Sequence, residues 1–292
     1  MTRKTIPSSD PLSIIKSIVD SDIDADRIDF VRRDGQLAGG EYGHYDIRRL
    51  CDSAFIERDE NGWFLAYSEK ALTSMEALLY DRYRTHVWIH FHHSVIAMKM
   101  LVRFLIQKAF EQGMITKESF SLNNIHSFAL RDDIWLWNIL RGLRQENNTT
   151  FDMIKRAVFY REKENTLNLW KMRTDYHEIE DAVKSRARVN AVDYGIFDFY
   201  IHNLEVNTGV KVFSFPVKFT SISKREVPLY SESSKKLTGK SLLKASKIVS
   251  DIETMMKDEP QQFFMLVGEN ARAHASKLRQ DWIDLTARWV NR

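Results

Sequence analysis

The sequence predicts a mainly α chain with a short β-hairpin near its start and a smaller α+β lobe at its C-terminal end. Three observations carry this. Apolar residues recur every three or four positions through much of residues 11–190. Asn61-Gly62 sits between hydrophobic flanks, a strong signal for a two-residue hairpin turn. Beyond residue 190 the period becomes two, with Phe213, Phe215, Val217 and Phe219 alternating with Val212, Ser214, Pro216 and Lys218. The expected division is a flexible tail over 1–10, a helical domain over 11–190 and a lobe over 191–292.

Taken in order, Leu12, Ile15, Ile18 and Val19 predict a short helix running into an acidic stretch whose helical character extends to about Arg33, where Gly35, Gly39, Gly40 and Gly43 break it. A short helix fits Asp46 to Ala54, and a hairpin fits Phe55 to Ala66. The clearest helix covers Ser68 to Gln112, with a break near His92-His93 and Gly113 as its stop. Further helices are expected at Ser121–Phe128, Asp132–Leu143, Phe151–Tyr160 and Asp175–Val189. Phe197–Val206 and Val210–Ile222 read as strands joined at Asn207-Thr208-Gly209, and Pro216 favours a sheet edge. A Ser/Lys-rich stretch over 231–241 reads as a mobile loop. Leu242–Met256 and Phe263–Val290 read as closing helices. Trp282 and Trp289, seven apart, share a face of the last one.

Composition narrows function more by exclusion than by pointing. Hydrophobic residues make up 43% and charged residues 28% of 292, enough for a real core. A net charge of +3 gives no global field for nucleic acid. A local cluster of Lys224, Arg225, Lys235, Lys236, Lys240, Lys244 and Lys247 is either a solvated face or an anion site, for a nucleotide or for nucleic acid. The single Cys51 excludes a disulfide framework and fits a reducing compartment. Arg3 and Lys4 lead into a polar tail rather than an apolar core, and the apolar stretch from Val95 to Ile106 is interrupted by Lys99 and Arg103. The expectation is a cytoplasmic protein with no membrane segment, and Met1 with its polar tail reads as a natural start.

The acidic stretch is Asp22-Ile23-Asp24-Ala25-Asp26-Arg27-Ile28-Asp29-Phe30-Val31-Arg32-Arg33-Asp34. Carboxylates spaced by two crowd together, which is unfavourable unless a cation or arginines offset them. A calcium loop beginning at Asp22 would need Gly at its sixth position and Glu at its twelfth, where Arg27 and Arg33 stand. A plain acidic helix start is the simple alternative. Farther on, Arg82, His86 and His90 are four apart, so they share one helix face. His86 and His90 have zinc-like spacing, yet no Glu follows His86 as the metalloprotease motif requires.

The longer string from Asp24 through Asp34, with Gly40-Glu41-Tyr42-Gly43 and Tyr45-Asp46 after it, resembles the D-x-D-[RK]-x-D-[YF]-x-x-R-D…G…[YF]-D pattern of HD-domain deoxynucleoside triphosphate triphosphohydrolases. The stretch Tyr80 to His93 resembles the same family's Arg-Tyr…[YF]-x-H-[KH] pattern. Together the matches cover about residues 12–160. The resemblance implies an HD-domain-like helical bundle. It implies that Asp26 is the last metal ligand of a divalent site (manganese, magnesium, iron, nickel or zinc) and shares in catalysis. Arg27 would contact the triphosphate, Asp34 would read a sugar hydroxyl, Arg82 would clamp phosphate, and His86 would donate a proton to the leaving group. Phe30 and His90 stand near the sugar where the family has tyrosine.

The family's metal site is His…His-Asp…Asp, and its first part lies upstream of the segment matched by residues 12–35. This chain contains no His-Asp dipeptide. The resemblance therefore implies a nucleotide phosphohydrolase subunit that is completed by a second chain carrying that motif, a piece of a longer enzyme, or a catalytically inactive scaffold or regulatory subunit that keeps the nucleotide pocket. Family members assemble into oligomers, which is expected here as well.

Overall fold

The structure is a computed structural model of the chain, and it describes residues 10–60, 62–123, 125–144, 148–169, 202–216, 227–234, 236–258 and 262–290. It is mainly helical with small sheets, as the sequence predicts. The chain folds as two compact units, Met1–Phe91 with Lys218–Glu259, and His92–Val217 with Pro260–Arg292. The expected boundary at 190/191 and the helix expected over Asp175–Val189 lie outside the described residues.

In the first unit, α1 (Leu12–Val19) is followed by α2 (Ala25–Leu37) and α3 (Ile47–Asp52). The predicted continuity of α1 and α2 fails at Asp24, whose extended backbone and capping carboxylate start a new helix. Gly35, expected to break α2, lies within it. A Cβ there would meet the Tyr42 carbonyl oxygen at 2.7 Å, so glycine serves close packing rather than termination. Asp46 caps α3 through a 2.9 Å bond from the Arg49 amide.

The hairpin forms as β1 (Ala54–Asp59) and β2 (Gly62–Ser68), with Ala54 opposite Tyr67 and Asp59 opposite Gly62. β2 continues in parallel into β5 (Pro228–Ser231), and β5 pairs antiparallel with β6 (Lys236–Ser241), so the sheet runs β1-β2-β5-β6. The loop expected over 231–241 is thus largely a hairpin strand. α4 (Leu72–Thr85) packs against α2 and, on another side, against Lys247–Asp258. Ile23, Val31, Leu50, Met75, Leu78, Leu79, Leu229 and Ile252 form one buried cluster between them.

The helical period then widens. Residues His86–His90 form a π turn closed by the Phe91 amide on the His86 carbonyl at 2.8 Å. α5 (His93–Glu111) begins the second unit where the break was predicted, and Gly113 follows it with φ +68°. α6 (Ile125–Ala129), α7 (Asp133–Arg141) and α8 (Thr149–Phe159) follow near their expected places. The sheet of this unit has the order β3-β7-β4, from Thr166–Asn168, Gln262–Val267 and Lys211–Pro216. Pro216 falls at the end of the edge strand β4.

Two expectations fail here. Residues 202–208 are helical (α9), not a strand, and Gly209 ends that helix with φ +68° and its amide on the Glu205 carbonyl at 2.9 Å. Asn-Thr-Gly suits a left-handed helix cap as well as a hairpin turn, so the local signal was ambiguous. Phe263–Val267 is a strand rather than the start of a helix. All five side chains are buried, and β3 and β4 flank it on both sides, which is why the run shows no alternation. α10 (Leu242–Ala245) and α11 (Lys247–Asp258) replace one expected helix, and α12 (Ala275–Val290) closes the described chain. Trp282 on α12 packs at a tilt against Phe264 with ring centroids 4.5 Å apart, so Trp282 belongs to the core; the side chain of Trp289 lies outside the described residues. Among the described residues no single helix is long and apolar enough to cross a membrane.

Candidate functional site

The acidic stretch is organised by Arg27. Asp22 and Asp24 are buried, at 1% and 4% exposure. Two carboxylates so deeply placed require a cation, and the Arg27 guanidinium is it. Its Nη1 lies 3.3 Å from Asp22 Oδ1 and also donates to the Ser21 carbonyl, while its Nε lies 3.5 Å from Asp24 Oδ2. Asp24 meanwhile accepts from the Arg27 amide at 2.7 Å. Tyr67 on β2 fixes the backbone between the two acids by donating to the Ile23 carbonyl at 3.0 Å, and burial pushes its phenol up to about 12.

Arg82 on α4 is 6% exposed. Burial lowers its pKa to about 10, and the Arg27 charge pushes the same way, while Asp22, Asp24 and Glu253 of α11 pull it back. His86 opens the π turn. Burial pushes its imidazole down to about 4, helped by Arg82, His90 and Arg27. Its Nδ1 is buried and lacks a hydrogen-bond partner among the described residues. The His86 and His90 rings lie 5.4 Å apart, and His90 Nε2 is 3.6 Å from Asp34 Oδ2.

Arg27, Arg82, His86, His90 and Asp34 are therefore brought into one electrostatic neighbourhood. Asp26 and Phe30 are not part of it. Asp26 is exposed in the first turn of α2, with no ion-pair or hydrogen-bond partner among the described residues. Phe30 packs against the core cluster. The near-neutral titration expected of His86 does not hold either: burial first, and then the neighbouring Arg82 charge, push its imidazole down to about 4, so it is neutral at pH 7 in the ligand-free protein.

The donor set also bears on the metal. Asp22 and Asp24 are engaged by Arg27, Asp26 stands apart, and no group of three or more His, Cys, Asp or Glu among the described residues could hold a metal ion. By themselves these residues do not make a divalent-cation cage.

Sequence reasoning missed Tyr67, Asp81 and Glu253. Asp81 is buried and accepts from the Gly43 amide at 2.8 Å, which fastens the turn after α2 to α4. Tyr45 continues that fastening, donating to the Ile28 carbonyl at 2.5 Å. Gly43 carried the one available signal, since φ +80° there requires glycine.

No protein-family model matches the chain. Among curated proteins it is 25% identical over 95 residues to the uncharacterized protein YwfO of Bacillus subtilis, covering 32% of this chain and 21% of that one. It is 28% identical over 109 residues to the uncharacterized protein MJ1154 of Methanocaldococcus jannaschii, covering 37% and 24%. Among solved structures it resembles a phosphohydrolase from Bacteroides thetaiotaomicron, with a TM-score of 0.59 and 14% identity over 89% of this chain and 65% of that one. A hypothetical protein from Aquifex aeolicus gives a TM-score of 0.56 and 18% identity, over 91% and 59%. At these identities the likeness establishes a shared fold. The chain spans under two thirds of either structure and about a quarter or less of the curated relatives.

Proposed function

We propose that this chain supplies the phosphate-binding part of an HD-type nucleotide phosphohydrolase site, and that a second chain or a further segment carries the metal-ligating histidines. The observation that supports this best is the convergence of two guanidinium groups, Arg27 and Arg82, on the neutral imidazole of His86. Arg82 is nine-tenths buried, and burial and the repulsion of the Arg27 charge both lower its pKa, against the pull of Asp22, Asp24 and Glu253. A phosphate ester lying against both would offset that repulsion and accept their forked donors. The same anion would raise the His86 pKa, returning the ring to a protonated state that can donate to a leaving oxygen. Asp34 and His90, which lie 3.6 Å apart at the edge of the cluster, would meet the sugar, by resemblance.

A divalent ion, when bound, would supply an activated water. The residues described here would bind and orient the phosphate and move a proton at its leaving oxygen. The preferred substrate class is a deoxynucleoside triphosphate, by resemblance. The exposed Asp26, and the lack among the described residues of a group that could hold a metal ion, favour a second reading, a nucleotide-binding scaffold or regulatory subunit without turnover.

Calorimetric titration of the chain with deoxynucleoside triphosphates tests both readings. Arg82→Met and Arg27→Met should each weaken binding at least about tenfold, since a charged hydrogen bond is worth roughly 1.5–3 kcal/mol. Unchanged affinity in both variants would remove the site. Metal-dependent turnover that appears only with a complementing His…His-Asp chain, and is lost in Asp26→Ala, separates enzyme from scaffold.

A further inference from the structure

The second unit contains a cavity of about 320 Å³ that the reading above does not use. Its polar lining is one-sided. Lys163, Arg272 and Arg279 face it together with His93, Ser94 and Asn168, and among the described residues no carboxylate lines it. None of the three cations has an acidic partner among the described residues.

The two arginines are nevertheless held in place. Arg279 Nε donates to the Leu169 carbonyl at 2.8 Å and its Nη2 to the Asn168 carbonyl at 3.5 Å. Arg272 Nε donates to the Thr166 carbonyl at 3.2 Å. Neutral carbonyls orient these guanidinium groups without cancelling their charge. Two long helices also begin at the cavity: α5 through His93 and Ser94, and α12 through Ala275, which brings two positive helix ends to one place. Apolar side chains such as Leu101 and Met265 form the rest of the wall.

We infer that this cavity is a binding site for a small organic phosphate monoester, with its phosphate held by Lys163, Arg272 and Arg279 and its body against the apolar wall. Uncancelled oriented cations and helix ends are the chemistry that recognises a dianion. The volume leaves room for a body about the size of a nucleoside or a hexose, at the small end of ordinary ligand pockets.

The inference stands on residues separate from those of the proposed nucleotide site, so it is tested in the Arg82→Met background to silence that site. Thermal shift and calorimetry are run with inorganic phosphate, a nucleoside monophosphate and a hexose phosphate, using the full chain. Saturable binding is expected for at least one ester, tighter than for inorganic phosphate. Lys163→Gln and Arg272→Gln should each weaken it at least fivefold, while Lys117→Gln, at an exposed lysine outside the cavity lining, leaves it unchanged. Lys163 is exposed and its side chain makes no hydrogen bond to described residues, its carbonyl alone accepting from Thr166, so its variant folds normally and keeps the test decisive. Nucleoside monophosphate preferred over hexose phosphate, or the reverse, identifies the body. Absence of saturable binding at millimolar concentration, inorganic phosphate binding as tightly as both esters, or binding unmoved by both Lys163→Gln and Arg272→Gln, overturns the proposal.

Discussion

Asp24 grips Arg27 at both ends: one carboxylate oxygen accepts from the Arg27 amide at 2.7 Å, and the other lies 3.5 Å from the Arg27 Nε. The same side chain thereby starts α2 and aims the guanidinium. Asp24→Ala removes a helix cap, worth about 1 kcal/mol, and leaves a partly buried arginine with only Asp22 against it. The expected loss is roughly 2–4 kcal/mol in urea unfolding, given the cost of breaking a buried pair. Asp24→Asn keeps the cap acceptor and loses the charge, so it should fall between the two. Equal stability of Asp24→Ala and the parent would mean that this grip is incidental.

The depressed titration of His86 sets a pH dependence. Its folded pKa is about 4 against an ordinary 6.5, so between those values the unfolded chain takes up a proton that the folded chain refuses. Stability from this group is complete above pH 6.5 and falls as the pH drops towards 4, by about 3 kcal/mol in all. His86→Gln removes the ionisation. The stability difference between parent and variant should therefore shrink between pH 7 and pH 4.5 when both are unfolded in urea. A difference independent of pH would show that His86 titrates normally. A saturating phosphate ester should move the His86 proton resonances towards a higher pKa.

What could be read in advance follows from the range of the interactions. The α4 to α5 break, the hairpin of β1 and β2 and the edge position of Pro216 are local consequences of turn chemistry and period, and each stood in the residues themselves, although Gly62 falls in β2 opposite Asp59 rather than at the centre of the turn. The strand at Phe263–Val267 could not be told from a helix, because it is buried on both faces by β3 and β4, neighbours distant in the chain. The cluster of Arg27, Arg82 and His86 was legible by motif. That Arg27 pairs with both Asp22 and Asp24 was not, because Asp22, Asp24 and Asp26 are alike in sequence and only the helix start separates buried from exposed.

Gly43 is the position where substitution should hurt most for its size. A Cβ would meet the Arg32 Cα at 2.5 Å, φ is +80°, and the amide is committed to Asp81. Gly43→Ala therefore forces the turn off α2, costing on the order of 2–3 kcal/mol through strain and the weakened buried bond. Gly39→Ala is the control, because its φ is +71° with open space around it, and it should cost only about 1 kcal/mol. Equal melting shifts for the two would remove packing as the cause.

Tyr67 gives the complementary test at high pH. Its hydroxyl holds the Ile23 carbonyl at 3.0 Å, and burial, with smaller contributions from Cys51 and Asp24, raises the phenol to about 12. The unfolded chain loses this proton near pH 10 while the folded chain keeps it, so stability is full below pH 10 and declines as the pH rises towards 12. Tyr45, raised to about 12 by burial and Asp81, contributes in the same direction. Tyr67→Phe should cost about 1–2 kcal/mol at pH 7, since the Ile23 carbonyl loses its donor inside the core. At alkaline pH the variant should lose stability more slowly than the parent, and the two unfolding curves should approach each other by pH 11. Because the bond positions Asp22 and Asp24 around Arg27, the same substitution should also weaken nucleotide binding at the proposed site by a few-fold, with Arg82 untouched. A variant that loses stability but binds normally would confine Tyr67 to the core and separate it from the site.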